Sequence, residues 1–461
     1  MLEGLEGINK IHFVGIGGAG MSPLAKGLLE MGYEVSGSDR AQSAIIDKLK
    51  DMGAKIFPEQ KGENVRGADA IVVSTAIPYD NPEVLAAGSL NIPKLHRSDI
   101  NAALVNTKKG IAVAGAHGKT TTTSMLGVAL EDAGVDPTIV IGGEVADLGT
   151  NGKLGKSDFL VSEADESDGS FLKLKPYIAV VTNVENDHMD HYGTMDNIRA
   201  AFKNFIQNMK DDGVAVLCFD NENLRNIAKD CGRKFITYAA DYDGAVDYRA
   251  VNIKTHGKGT DFEVEHEGKI LGSVSLNIPG KHNVLNALAA VAAGSLIGVD
   301  FAKMAKGLAA FHGAKRRFDT KGRVNDIWVV DDYAHHPTEI ATTLKAARQT
   351  NPKRLICVFQ PHRYSRTQLL RAEFGTAFTA ADKLILTDIY SAGEAPIEGV
   401  TGRLLFDEVA EQTGQDVTYI PEREKLADYL AEMAEPGDLI MTMGAGDIYK
   451  TGEELVEKLK K

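Results

Sequence analysis

The sequence predicts an α/β protein made of three successive domains with mostly parallel sheets, and three observations lead there. The chain is 461 residues long, which at roughly 150 residues per domain suggests three units. Short apolar runs alternate with helical patterns from end to end, as βαβ crossovers produce. Two glycine-rich turns each stand between an apolar strand and a helix, a context in which backbone amides and a helix N-terminus bind phosphate.

In the first segment a strand over Lys10–Val14 runs into Gly15-Ile16-Gly17-Gly18-Ala19-Gly20 and a helix from about Met21 to Met31. The next strand, Tyr33 to Ser36, ends near Asp39. This is the Gly-x-Gly-x-x-Gly fingerprint, with an acidic residue about twenty positions on to hydrogen-bond a ribose or a base edge. By itself it fits any dinucleotide, or any diphosphate resting on a helix N-terminus. A further strand at Ala70–Ser74 and a loop at Thr75–Pro78 continue the alternation.

The second segment opens with the apolar run Ile111–Ala114, the turn Gly115-Ala116-His117-Gly118-Lys119-Thr120 and a run of threonines beginning a helix. Two residues separate the glycines, where the full phosphate-loop signature has four. The chemistry is the same: amides converge on phosphate oxygens, Lys119 supplies a mobile cation and Thr120 offers a hydroxyl to magnesium. A nucleoside triphosphate is the expected ligand. A strand over Phe159–Val161 then delivers Glu163, Asp165, Glu166 and Asp168, and one over Ile178–Val181 delivers a stretch containing His188. Carboxylates crowded at a strand end call for a cation, and beside a phosphate loop that cation is Mg²⁺. His188 should face the same phosphates as Glu163, since ligands of parallel sheets sit at the C-terminal strand edge. Gly280-Lys281-His282-Asn283 then starts an alanine-rich helix.

The third segment follows Phe311–Phe318, with strands at Ile327–Val330, Leu355–Phe359, Lys383–Leu386 and Leu439–Thr442 alternating with helical patterns. Arg317 and Asp332 flank its start, and Gln360–Arg366 closes its second strand. Arginines at strand ends suit carboxylate or phosphate, which they grip bidentately.

A formal charge of −13 argues against a nucleic-acid surface, which needs a basic footprint, so anionic substrates must be captured by local basic groups. Cys218, Cys231 and Cys357 stand far apart in no ligand spacing and read as buried or incidental thiols of a reducing compartment. The first residues have neither a basic start nor an apolar core, unlike a signal peptide. The longest small-apolar run, Ala287 to Val299, falls short of the ~20 residues that span a bilayer. A cytoplasmic enzyme, monomer or homodimer, with neither nucleic acid nor membrane as partner, is the expectation.

Six ordered motifs resemble those of the Mur ligases over essentially the whole chain: Gly-Ile-Gly-Gly-Ala-Gly-Met-Ser, Gly-Ala-His-Gly-Lys-Thr-Thr-Thr, Glu-Ala-Asp-Glu-Ser-Asp-Gly-Ser-Phe, Asp-His-Met-Asp, Gly-Lys-His-Asn-Val-x-Asn and Asp-Tyr-Ala-His-His-Pro. The resemblance implies a Rossmann-like N-terminal domain (1–106) holding a UDP-sugar, a central P-loop ATPase domain with a mostly parallel sheet (107–314) and a C-terminal Rossmann-like α/β domain (315–461) that closes over an amino acid. It implies an ATP- and Mg²⁺-dependent (or Mn²⁺-dependent) ligase that joins L-alanine to the lactyl carboxylate of UDP-N-acetylmuramate through an acyl phosphate, for peptidoglycan synthesis. Carried over residue by residue, Gly115, Ala116, His117, Gly118, Lys119, Thr120 and Thr121 would hold the ATP phosphates. Asn283 and Asn286 would lie near the adenine, and Arg317 and Asp332 would reach the nucleotide. Thr120 and Glu163 would take one metal and His188 a second. Gly15, Gly17, Gly18, Gly20, Asp39, Ser74, His96 and Arg97 would bind the UDP-sugar, and Tyr333, His335, Arg363 and Arg366 the amino acid.

Two positions depart from the family's pattern. Where several sister ligases carry a carbamylated lysine this chain has Phe202, with Lys203 one step off, so no carbamylation is expected; and Ala116 stands where many relatives have threonine. The nearest alternative is the family's recycling ligase, which joins the same UDP-sugar to a ready-made tripeptide. An NAD-dependent oxidoreductase explains only Gly15–Gly20 and Asp39, and a nucleotide-switch protein only Lys119 and Thr120.

Overall fold

Short β-branched runs alternating with helices build three sheets in the computed structural model, which describes residues 2–256 and 259–460. The chain forms two compact units, one of Met1–Val251, Glu263–Val274 and Leu285–Phe311, the other of Asn252–Phe262, Ser275–Val284 and His312–Lys461.

In the first unit, β1 (Lys10–Val14), α1 (Ser22–Glu30), β2 (Glu34–Ser38), α2 (Ala44–Asp51), β3 (Lys55–Phe57), β4 (Ala70–Val73), α3 (Pro82–Ser89), β5 (Lys94–His96) and α4 (Arg97–Thr107) succeed one another. Their sheet has the order β3-β2-β1-β4-β5 and is parallel throughout. Phe13 and Val14 are buried just before the chain leaves β1, so the glycine turn emerges from the middle of the sheet. Pro23 sits in the first turn of α1, where its missing N–H costs nothing.

The second sheet grows from β6 (Lys109–Ala114), α5 (Lys119–Asp132), the antiparallel pair β7 (Thr138–Val145) and β8 (Thr150–Lys153), β9 (Phe159–Glu163), β10 (Ile178–Val181), α6 (Met189–Tyr192), α7 (Met195–Gln207), β11 (Val214–Cys218), α8 (Glu222–Ala228), β12 (Phe235–Ala239) and β13 (Tyr248–His256). Strands β14 (Gly259–His266) and β15 (Lys269–Leu276) and helices α9 (Lys281–Leu296) and α10 (Phe301–Ala309) follow. From β8 the order is β8-β7-β9-β6-β10-β11-β12-β13. The decisive feature is that β6 has β9 on one side and β10 on the other, both parallel to it. The chain fills one flank first and then crosses to the other, so the loops leaving these three strands diverge around a crevice, the switch point where α/β sheets bind ligands.

Two differences from the sequence reading stand out. Strand β9 continues past Val161 to Glu163, with Ser162 opposite Ala112 and Glu163 opposite Val113; two polar residues masked a strand whose hydrogen bonds are made by backbone. The sequence reading likewise has no strand at β3, β5, β7, β8 or β11 to β15; β3 and β5 are only three residues long.

In the second unit, β16 (Asp319–Val324), β17 (Ile327–Asp332), α11 (Pro337–Arg348), β18 (Arg354–Phe359), α12 (Tyr364–Leu369), α13 (Arg371–Ala377), β19 (Lys383–Leu386), α14 (Gly402–Thr413), β20 (Val417–Tyr419), α15 (Leu426–Met433), β21 (Asp438–Met443) and α16 (Tyr449–Leu459) form a sheet of order β16-β17-β21-β18-β19-β20. Only β16 runs antiparallel to its neighbour. Successive side chains fill opposite layers: Val330, Leu355, Leu384 and Met441 join one apolar cluster and Val329, Ile356, Ile385 and Ile440 the other. This is the period-two signature of strands buried on both faces.

All three cysteines are buried and free. Among the described residues no helix is long and apolar enough to cross a membrane. Phe202 is buried on α7, with its ring centroid 5.2 Å from that of Phe171 in an edge-on contact, and Lys203 beside it pairs with Asp230 at 2.6 Å. Replacing Phe202 by alanine should therefore destabilise the first unit by about 3–5 kcal/mol, read as a lower urea midpoint. A loss below about 1 kcal/mol would mean that this aromatic cluster does not hold α7 in place.

Candidate functional site

The turn after β6 is shaped by two glycines with left-handed backbone, Gly115 (φ +144°) and Gly118 (φ +83°). A Cβ at Gly115 would collide with Thr182 Oγ1, and one at Gly118 would lie 2.6 Å from Asn286 Oδ1. Residues leaving β10 clamp the turn. Asn183 Oδ1 accepts from the His117 amide at 2.9 Å, while the Asn183 side-chain amide and the Thr182 hydroxyl donate to the His117 carbonyl at 2.9 and 2.6 Å. His117 Nε2 lies 3.3 Å from Glu185 Oε2. Lys119 folds back over the loop it terminates, donating to Gly115 O at 2.6 Å, Ala116 O at 3.2 Å and Glu166 Oε1 at 2.8 Å. Burial opposes its charge, but Glu166, Asp165 and Glu163 outweigh burial and raise its pKa. The ammonium is thus held between the carbonyls of the turn and the Glu166 carboxylate.

The four clustered carboxylates prove to have four separate environments. Glu163, fixed by the β6–β9 ladder, accepts from the Thr120 hydroxyl at 3.2 Å and the Gly142 amide at 2.8 Å. Asp165 pairs with Arg97; burial would raise its pKa, but Arg97 and Lys119 hold it well below the usual carboxylate range. Glu166 is buried, and its Oε1, besides serving Lys119, lies 3.3 Å from His188 Nε2. Asp168 caps a turn by accepting from the Ser170 amide at 2.9 Å. His188 adopts a left-handed backbone (φ +56°) ahead of α6, a conformation that is costly for a non-glycine residue and that occurs preferentially at functional sites. Burial opposes protonation of its ring, but Glu166 and Asp187 raise its pKa.

Among the described residues no three His, Cys, Asp or Glu side chains converge as a ready cage for a metal ion. Thr120 with Glu163, and His188 with Glu166, are instead two incomplete donor pairs. That suits Mg²⁺, which keeps waters and takes phosphate oxygens rather than an all-protein cage.

In the N-terminal sheet, Gly15 (φ +77°) turns the chain and its amide donates to Ser38 O at 2.8 Å. Asp39 accepts from the amides of Gly17 at 2.8 Å and Ala41 at 3.0 Å, so its carboxylate fixes the glycine turn. A Cβ at Gly17 would sit 2.9 Å from that carboxylate. The Gly18 amide closes the turn onto Gly15 O at 3.2 Å. Ser74 follows β4, at the same sheet edge, with its carbonyl accepting from the Ile77 amide at 3.1 Å. His96 caps α4. Arg97 does double duty: its guanidinium borders Gly20, 3.3 Å from where a Cβ would be, and reaches Asp165. It therefore connects the first glycine turn with the carboxylate run beside the second.

In the second unit, Arg316 and Arg317 stack over the Tyr333 ring at 4.9 and 5.3 Å. Arg316 also pairs with Asp331 at 3.0 Å, and Arg317 lies 3.8 Å from Glu339. Asp332 accepts from the amides of Phe318 and Ala334, both at 2.8 Å. Burial pushes its carboxyl up to about 6, with Arg317 and the two amides opposing. His335 packs edge-on against Tyr333 and His362. His362 stacks on Tyr390 with centroids 5.8 Å apart, meets Arg366 at 3.3 Å, and is pushed down to about 3 by burial and surrounding cations. Arg363 is exposed and left-handed (φ +70°). Asn283 belongs to this unit, its side chain donating to Pro279 O at 2.7 Å, whereas Asn286 belongs to the first, beside Gly118.

Sequence reasoning missed four contributors: Glu166 as the counter-ion of Lys119, Asn183 as the clamp on the loop, Asp165 as the partner of Arg97, and His362 between Tyr390 and His335. All four stand at strand ends, which was the available signal; what it could not supply was the pairing of each with a distant segment.

The raised pKa of Asp332 has a measurable consequence. Between about pH 4 and pH 6 the folded protein keeps a proton that the unfolded chain releases, so this group's contribution to stability falls as pH rises through that window. Asp332→Asn abolishes the titration. Its Tm relative to wild type should rise from pH 4 to pH 6 and stay level above; parallel Tm profiles would show that Asp332 titrates normally.

Comparison with known proteins covers almost the entire chain. Residues 10–109 match the Mur ligase family catalytic domain, 113–294 the Mur ligase middle domain, and 316–446 the Mur ligase glutamate ligase domain. The UDP-N-acetylmuramate–L-alanine ligase of Desulforamulus reducens is 51% identical over 98% of both chains. That of Pelotomaculum thermopropionicum is 50% identical over 98% of this chain and 97% of its own. Among solved structures, the UDP-N-acetylmuramate-alanine ligase MurC of Thermotoga maritima aligns with a TM-score of 0.83 at 29% identity, covering 98% of this chain and 99% of that one. A murein peptide ligase from Psychrobacter arcticus aligns over the same shares at 0.72 and 26%. With two phosphate-type glycine turns, a lysine stationed in the second and near-complete coverage by such relatives, the chain belongs to the Mur ligase family.

Proposed function

We propose that the chain is the ATP-dependent ligase that joins free L-alanine to the lactyl carboxylate of UDP-N-acetylmuramate, a step of peptidoglycan precursor synthesis in the cytoplasm. One observation carries this reading: relatives named for that reaction share about half of all residues over 98% of the chain. The higher TM-score with an alanine ligase than with a peptide ligase, 0.83 against 0.72, favours free alanine over the tripeptide. We take the domains as 1–106, 107–314 and 315–461.

A carboxylate is a poor acylating agent. In the first step its oxygen attacks the γ-phosphorus of ATP and ADP leaves; in the second the alanine amine attacks the acyl phosphate carbon, phosphate leaves and the amine loses a proton. Two anions must meet for the first step, so catalysis is positioning plus electrostatics. Lys119 leaves Glu166 for the phosphates, and the amides between Gly115 and Thr121 cradle them. Thr120 and Glu163 would hold one Mg²⁺ and His188 another. Magnesium, when bound, neutralises the phosphoryl oxygens. Asn286, at the turn, and Asn283 serve the adenine side, with Arg317 and Asp332 on the nucleotide. The turn of Gly15, Gly17, Gly18 and Gly20, fixed by Asp39, binds the UDP diphosphate with Ser74, His96 and Arg97. Tyr333, His335, Arg363 and Arg366 frame alanine, the arginines pairing with its carboxylate.

Phosphate release should require both UDP-N-acetylmuramate and alanine; full-rate ATP hydrolysis without the sugar nucleotide would rule out a ligase. Lys119→Ala or Glu163→Ala should raise the barrier by roughly 3–4 kcal/mol, about a hundred- to a thousandfold in rate, and near-normal turnover at saturating Mg²⁺ would remove that residue from the site. Arg363→Ala or Arg366→Ala should raise KM for alanine far more than KM for ATP. Rejection of glycine should be modest, since a missing methyl is worth only ~1–3 kcal/mol. Product mass with alanine against the tripeptide decides between the two ligases: equal or better ligation of the tripeptide would make this the recycling enzyme.

A further inference from the structure

Glu166 is under-used by the interactions around it. Its side chain is 4% exposed. Oε1 serves both Lys119 and His188, while Oε2 is buried and accepts no hydrogen bond. A buried carboxylate oxygen without a donor is unfavourable, and buried polar groups nearly always find partners. Nor has the residue drifted there by looseness. The Tyr192 hydroxyl and the Gly169 amide both donate to its carbonyl, at 2.5 and 3.0 Å, holding the backbone from two sides. The orphan oxygen therefore belongs to a residue held in place, beside a histidine whose own backbone is strained.

The reading of the site as a magnesium-nucleotide site, on which this inference rests, makes the imbalance larger. When Lys119 turns to the phosphates, Glu166 loses its cationic partner. A buried carboxylate would then face polyphosphate with only the His188 ring beside it, an arrangement that nearby anions and low polarity both oppose. A divalent cation at that point restores balance, and the imidazole 3.3 Å away is a suitable co-ligand. We propose that Glu166 is a carboxylate ligand of the second divalent cation, together with His188, and that its ion pair with Lys119 is the nucleotide-free arrangement of the same group. Lysine and metal thus occupy Glu166 in turn, so that the ammonium is released to the phosphates as the metal arrives.

The test reads metal binding rather than turnover. Mn²⁺ is titrated into the full-length protein with a non-hydrolysable ATP analogue and free Mn²⁺ is followed by electron paramagnetic resonance. Wild type should bind two ions. Glu166→Gln should bind the second roughly 10- to 100-fold more weakly, with the first nearly unchanged; Glu163→Gln should weaken the first. Without metal, the analogue should bind Glu166→Gln at least as well as wild type, because a competitor for Lys119 is gone. Glu166→Asp, which keeps the charge, should recover most of the second site. If Glu166→Gln keeps both ions at wild-type affinity, or weakens the nucleotide equally with and without metal, Glu166 is a structural ion-pair partner and the proposal fails. If wild type binds no Mn²⁺ beside the nucleotide, the magnesium reading itself falls and takes this one with it.

Discussion

Everything at the centre of this protein depends on a problem of charge: a polyphosphate must enter a crevice already holding carboxylates, in a chain of net charge −13. The crevice exists because β6 stands between β9 and β10, which brings the loop with its lysine and the acidic run together at one sheet edge. Attraction is supplied by few groups. Lys119 neutralises Glu166, and Arg97 neutralises Asp165. Each pair screens one of the anions that an incoming phosphate would meet, and the more buried of the two, Lys119 with Glu166, is the less weakened by salt.

The same pairs tie the layers together. Arg97 begins α4 at the end of the first sheet and reaches into the second, bordering Gly20 on the way. A change at the first glycine turn is therefore felt by Asp165 and, through its field, by Lys119. The second unit handles charge differently. Its arginines lie over an aromatic ring, and its buried carboxyl is pushed toward neutrality.

Much of this was legible in the sequence, because local chemistry announces itself locally. The strand, turn and helix around Gly115–Thr120 and around Gly15–Gly20 follow from glycine and apolar patterning, and the alternating apolar layers of the second unit follow from period two. What escaped was non-local. Nothing in the run from Glu163 to Asp168 says which carboxylate takes the lysine, since that depends on how far β9 extends and where Tyr192 grips the loop. Likewise Asp39, which reads as a ribose ligand, has its carboxylate engaged by the amides of Gly17 and Ala41. Sequence spacing fixes its distance along the chain but not which of several nearby donors claims it.

The extension of β9 to Glu163 also bears on how such a scaffold can diversify. Glu163 owes its position to backbone pairing with Val113, so its carboxylate is insulated from whatever happens in the connection that follows. Insertions and substitutions beyond Ser170 can accumulate without shifting it, provided that the stretch from Ala164 to Gly169 keeps its grip on Tyr192. A lineage can thus vary the loop that follows while the carboxylate at the end of β9 stays where the sheet puts it, which is one physical route by which a single architecture comes to serve enzymes that attach different amino acids.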